Sequence, residues 1–148
     1  MRVNYYEILK AARRAIVRDT EVERHDANIT QRVYIERPLM LEPPAIFIYR
    51  DRRDAIENDQ RISAGRRVDY DFQMSIWVMD GDFDSVEAAT ERCDILLGKV
   101  EVALLNDRTL GGTVGYHWFT GGEFVSGEDN GFYSAAEIAM TARVHATT

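Results

Sequence analysis

The sequence predicts an α+β fold: a mostly antiparallel or mixed sheet packed against two main helices, with a long charged hairpin-like arm. Three observations predict it. Apolar residues recur at helical spacing from Tyr5 to Ile16 and again from Val86 to Leu104. Apolar and polar residues alternate from Val68 to Val78 and from Ile138 to Val144, as in half-buried strands. The two kinds of signal are interleaved, and the strongest unit is strand, helix, then two strands, an order that suits an α+β domain. At 148 residues and 17.0 kDa the chain can bury one proper core, so residues 1–148 are read as a single domain.

The first helix is expected over residues 4 to about 18. Tyr5, Ile8, Leu9, Ala12 and Ile16 share a face, Asn4 can cap the start, and Glu7 would complete a capping box. Arg13, Arg14 and Arg18 sit toward the C-terminal end, where cations suit the helix dipole. From Asp19 to Pro44 the pattern weakens: "RVYIER" reads as a short strand, and Pro38, Pro43 and Pro44 break up the stretch after it. "AIFIYR" is a strand whose unbroken apolar run predicts burial on both faces. Residues 50–67, "RDRRDAIENDQRISAGRR", are strongly charged in both signs and nearly free of large apolar side chains. They read either as a solvated hairpin tip or as an interaction arm.

"RVDYDFQMSIWVMD" then places Val68, Tyr70, Phe72, Met74, Ile76 and Val78 on one face and Asp69, Asp71, Gln73, Ser75 and Trp77 on the other. Trp77 on that polar face is either an edge contact or part of an interface. The period next turns helical, with Val86, Ala89, Cys93, Leu96, Leu97, Val100, Ala103 and Leu104 in one stripe. Gly98 inside it costs up to about 1 kcal/mol relative to alanine, a loss often tolerated for close packing. "TVGYHWF" reads as a strand between glycine turns. "FYSAAEIAMTARVHA" reads as the last strand, although its alanines leave a helix open.

The net charge of −7 is unevenly spread: residues 68–148 hold only four basic residues against fourteen acids, while residues 50–67 hold six arginines against four acids. An acidic half argues against a nucleic-acid-binding surface there, because phosphate neutralisation needs clustered Lys and Arg. The cations are arginines except for Lys10 and Lys99, and the planar guanidinium favours bidentate pairing across interfaces. No apolar run approaches the roughly 18 residues of a membrane span, and no secretory signal is evident. The one cysteine, Cys93, forms no internal disulfide, so synthesis in a cytosol is expected.

The stretch "MDGDFDSVEAATE" sets Asp80, Asp82 and Asp84 at alternate positions with Glu91 in the twelfth place from Asp80, the outline of an EF-hand calcium loop. Such a loop needs glycine at its sixth position, where Ser85 stands, and the helical stripe already begins at Val86. Asp84 is therefore expected to be the N-cap of the helix with Glu87 at N3, and Asp80 to Asp82 the turn out of the strand. His25, His117 and His145 lack any paired metal-ligand spacing and are expected on the surface or in strands; no metal or cofactor site is expected. Cys93 falls on the apolar stripe and reads as a buried structural thiol. "LGGTVG" does not match a phosphate-binding loop and reads as a turn. Asp69 and Asp71 could form a catalytic pair, but no histidine or arginine stands beside them in the sequence, and enzyme chemistry has no anchor.

The order of features is itself informative. An amphipathic first helix, "PPAIFIY", a charged arm, a long alternating strand ending in "WVMDGDFD", a helix ending in "ALLND", and "LGGTVGYHWF" before a terminal alternating strand succeed one another. This order resembles the tail terminator, or tail-completion, proteins of long-tailed bacteriophages and related phage-derived particles. The resemblance covers nearly the whole chain and rests on element order rather than on a signature motif. It implies a structural, non-catalytic subunit without cofactor that assembles as a hexameric ring on the head-proximal end of the tail tube. Such a ring stops tube polymerisation, meets the neck or connector proteins of the head, and lets DNA through its lumen without specific binding. It implies a place at the head-tail junction of the virion, reached after synthesis in the host bacterial cytoplasm, and no membrane partner.

Within that reading, Arg52, Arg53, Arg61, Arg66 and Arg67 of the arm would reach the acids of a neighbouring subunit, Asp80, Asp82 or Asp84. A head-to-tail contact of this kind closes into a ring when the rotation permits. Two alternatives compete: another phage neck component or small assembly module, and a small enzyme with an unrecognised site. A pocket holding Asp69 and Asp71 near a histidine would favour the enzyme.

Overall fold

The computed structural model describes residues 3–36, 42–56, 67–128 and 131–147. Their elements are, in order, α1 (Tyr5–Val17), α2 (Thr20–His25), a 3-10 turn (Ile29–Gln31), β1 (Val33–Ile35), β2 (Ala45–Ile56), β3 (Arg67–Asp82), α3 (Val86–Leu105), β4 (Tyr116–Gly121), β5 (Phe124–Glu128) and β6 (Phe132–Thr147). The strands form one sheet in the order β1-β2-β3-β6, and the far edge of β6 is shared by β5 along its N-terminal half and β4 along its C-terminal half. β1 runs parallel to β2 and every other pairing is antiparallel. The fold is α+β, as the periodicities predict.

Strand alternation decides which face the helices cover. Phe72, Met74, Ile76 and Val78 of β3 join Ile46 and Ile48 of β2 and Ile138, Met140, Ala142 and Val144 of β6 in one core. Onto it pack Ile8, Leu9, Ala12 and Ile16 of α1 and Leu96, Val100, Ala103 and Leu104 of α3. Each fully buried Ile or Leu here contributes about 1.5–3 kcal/mol relative to its exposed form. Asn4 Oδ1 accepts the Glu7 N–H at 3.3 Å, so α1 starts where its cap residue predicts. In β2, Ala45 to Ile48 are buried, as their apolar run requires.

Several details differ from the sequence reading. The α3 cap is Ser85, whose Oγ accepts the Ala88 N–H at 3.0 Å, not Asp84. β3 does not turn at Asp80 but stays paired to β6 through Asp82. Gly98 serves no close packing within the chain, since a Cβ built there meets nothing within 4 Å. α2 and β5 have no counterpart among the elements read from the sequence. One is a six-residue helix, and the other, "FVSGE", lies almost wholly exposed along an edge, so neither carries a hydrophobic period.

The charged arm has a three-stranded base. β2 continues past a bulge at Arg50/Arg52 and pairs with β3 from Arg52↔Gln73 to Ile56↔Asp69. β6 backs the other side of β3 as far as Arg67↔Thr147. Pro38, Arg61 and Arg66 lie outside the described residues.

Candidate interaction surface

Among the described residues, no helix packs on the second face of the sheet. There the alternation of β2, β3 and β6 gathers Phe47, Tyr49, Trp77, Met79, Tyr133 and Ala135, through the register Phe47↔Trp77 and Met79↔Ala135. Pro43, Phe83 and Val125 wall this patch into a bowl of about 740 Å³, with Asp82 and Glu128 on its lining. Phe83 is 88% exposed and Val125 45% exposed. Gly81 sits tightly at the edge of the bowl: a Cβ there would stand 3.1 Å from both the Phe132 carbonyl oxygen and the Pro43 ring. The bowl is thus a mixed apolar and polar concavity, with Phe83 and Val125 as its exposed apolar walls. Trp77, ambiguous in the sequence, lines the bowl.

Toward the arm the same face becomes acidic. Ser75 Oγ lies 2.7 Å from both Asp51 Oδ2 and Glu137 Oε2. Asp54 pairs with Arg52 at 2.7 Å and accepts from Gln73 Nε2 at 3.3 Å. Asp71 meets Arg143 Nε at 2.7 Å, and Asp69 meets His145 Nδ1 at 2.6 Å. The Asp71 carboxylate raises the Arg143 pKa above its ordinary value, and the guanidinium also faces the rings of Tyr116 and Trp118 at 5.7 and 5.9 Å. No histidine or arginine stands beside Asp69 and Asp71 in the sequence because their partners His145 and Arg143 come from β6, directly across the ladder. Matching the two long alternations strand against strand is the signal that could have found them. Neither aspartate lines the bowl, and each is met by a side chain of the neighbouring strand, Asp71 by Arg143 and Asp69 by His145.

The candidate interface residues scatter. Arg53 donates to Tyr5 Oη at 3.1 Å and lies over the rings of Tyr5 and Tyr70 at 5.3 and 4.9 Å, tying the arm base to α1. The Tyr5 hydrogen bond raises its pKa. Arg67 opens β3. Asp80 is 1% exposed: Oδ2 lies 2.5 Å from His25 Nε2, while Oδ1 accepts the Gly81 N–H at 2.8 Å and faces Arg92 Nε at 3.4 Å. It points to the helix side with Val78 and presents nothing to another subunit, because its oxygens are met within the chain. His25 is correspondingly not in a strand and turns its imidazole inward; its side chain is 6% exposed at the end of α2. Asp82 Oδ1 accepts the Asp84 N–H at 2.7 Å, turning the chain toward Ser85. Asp82 is half-buried and Asp84 exposed, so of the three alternate aspartates these two reach the surface.

Cys93 is buried beneath α3, and burial pushes its thiol up to about 11, well outside nucleophilic range. Among the described residues no group of three or more His, Cys, Asp or Glu is placed to hold a metal ion, and no helix is long and apolar enough to cross a membrane.

No family model matches the chain, and neither does any curated protein. Among solved structures, the chain is similar to a chain of the "Virion of native gene transfer agent (GTA) particle". The two share 17% identity and superpose with a TM-score of 0.55 over 93% of this chain and 94% of that one. At that identity the likeness is one of fold.

Proposed function

We propose that the chain is a structural virion subunit that forms a ring, hexameric as in the family it resembles, at the head-proximal end of a tail tube. There it ends tube polymerisation and joins tail to head, with the tail-tube protein on one side and neck or connector proteins on the other. The observation that carries this reading is the fold it shares, along nearly the full length of both chains, with a chain of a gene transfer agent virion. The element order that resembles tail terminators points the same way. The bowl, with Phe83 and Val125 exposed on its walls, offers a concave surface on the open sheet face for a partner to fill.

The arm acts between subunits. Arg52, Arg61, Arg66 and Arg67 reach the surface acids of the next copy, Asp82 and Asp84; Arg53 is omitted because Tyr5 and Tyr70 hold it, and Asp80 because His25, Gly81 and Arg92 occupy it. DNA passes without specific binding, which suits a sheet face holding Asp51, Asp54, Asp69, Asp71 and Glu137.

The test is to add the purified chain to polymerising tail-tube protein of the same particle. Tubes of limited length with a capped end are the expected result. Tubes that grow as long as in its absence would refute the terminator role. Charge reversal of these four arginines to glutamate is expected to give folded monomers, and variants that still assemble normally would remove the arm from the interface.

A further inference from the structure

One surface remains that neither the bowl nor the arm uses. α3 buries Ala89, Cys93, Leu96, Val100 and Ala103 against the sheet, and opposite them Ile95, Gly98, Val102 and Leu105 recur at i, i+3, i+7 and i+10. Ile95 is 49% exposed, Val102 54% and Leu105 52%, so the helix shows solvent a second apolar stripe. Gly98 sits in the middle with open space before it, which lets another backbone approach closely. Four carboxylates flank the stripe, Glu87, Glu91, Asp94 and Glu101, and a shallow groove lined by Glu87, Thr90, Glu91, Asp94 and Ile95 runs along its first half. None of the four has an ion-pair partner among the described residues.

A surface of complementary character exists on the same chain. The outer side of α1 carries Tyr6, Lys10 and Arg13 at i, i+4 and i+7, with Arg14 beside them. Tyr6 is 50% exposed, and the Lys10 ammonium stands 5.1 Å over its ring. Arg13 and Arg14 also have no ion-pair partner among the described residues.

From this complementarity we infer that the outer face of α3 docks on the outer face of α1 of a second copy, head to tail. The inference rests on the ring reading and names surfaces through which neighbouring subunits meet. Pairing of α3 with another α3 is disfavoured, because it would set the same four carboxylates against themselves, whereas α1 brings arginines to them and the exposed Tyr6 ring to the stripe. A contact between two different patches repeats in one rotational sense, as ring closure needs.

Sedimentation velocity of the full chain across concentration and salt tests it, with circular dichroism confirming that each variant is folded. The variants are R13E/R14E, D94R/E101R and the four changes together. Either pair alone is expected to raise the concentration needed for self-association by about tenfold or more, and the combined variant to restore it. Wild-type assembly unmoved by either pair overturns the helix contact and leaves the ring reading standing. A wild-type chain that stays monomeric at every concentration also overturns the contact, and imaging of tail-tube ends then decides the ring reading separately.

Discussion

His25 Nε2 and Asp80 Oδ2 stand 2.5 Å apart with side chains 6% and 1% exposed, joining α2 to the end of β3 across fifty-five positions of sequence. The pair explains why an aspartate that looks like a loop ligand in the sequence is a buried tether in the fold. Asp80→Ala leaves the imidazole, the Gly81 N–H and Arg92 facing an empty acceptor site, and a loss of about 3–5 kcal/mol is expected. Urea denaturation of the purified variant measures it. A loss below about 1 kcal/mol would contradict the tether.

The cap of α3 separates two neighbouring residues. Ser85→Ala removes the acceptor of the Ala88 N–H and is expected to cost about 1 kcal/mol. Asp84→Ala, at an exposed residue whose backbone rather than side chain takes part in the turn, is expected to change stability by less than about half of that. Equal losses would show that the cap is shared.

These differences show what the sequence could and could not convey. The periods of α1, α3, β3 and β6 were legible because burial of one face writes itself into spacing, and Asn4 marked the first helix for the same local reason. α3 offered two capping candidates in succession, Asp84 and Ser85, and backbone geometry rather than residue type chose between them. Long-range partners were not legible. The neighbours of Asp69, Asp71 and Asp80 come from β6 and α2, and only strand register and helix docking bring them together. The bowl was visible only as one anomaly, a tryptophan on an otherwise polar strand face.

Gly98→Ala fills open space on an exposed helical position, so it should stabilise the dilute monomer by up to about 1 kcal/mol. For a domain of this size that is about 2–4 °C in thermal midpoint. A lowered midpoint would mean that the site is occupied in the isolated chain.

The Cys93 thiol adds an alkaline limit. Burial raises its pKa from 9.0 to about 11, so the folded chain holds the proton more tightly than the unfolded one does. The resulting stability is fully present below pH 9 and falls as pH rises from 9 through 11, by a few kcal/mol at most for that shift. Unfolding measured at pH 8 and pH 10.5 should show the loss in the wild type and a smaller one in Cys93→Ala. In the folded protein at neutral pH the thiol should react with a disulfide reagent far more slowly than in the unfolded chain.

The central claim is that copies of this chain close into a ring. Mass by light scattering, with negative-stain imaging of the same fraction alone and after mixing with tail-tube protein, tests it most directly. The account predicts closed rings of about six subunits with a central hole, free in solution or seated on tube ends. A protein that remains monomeric in both conditions, with bare tube ends, would contradict it.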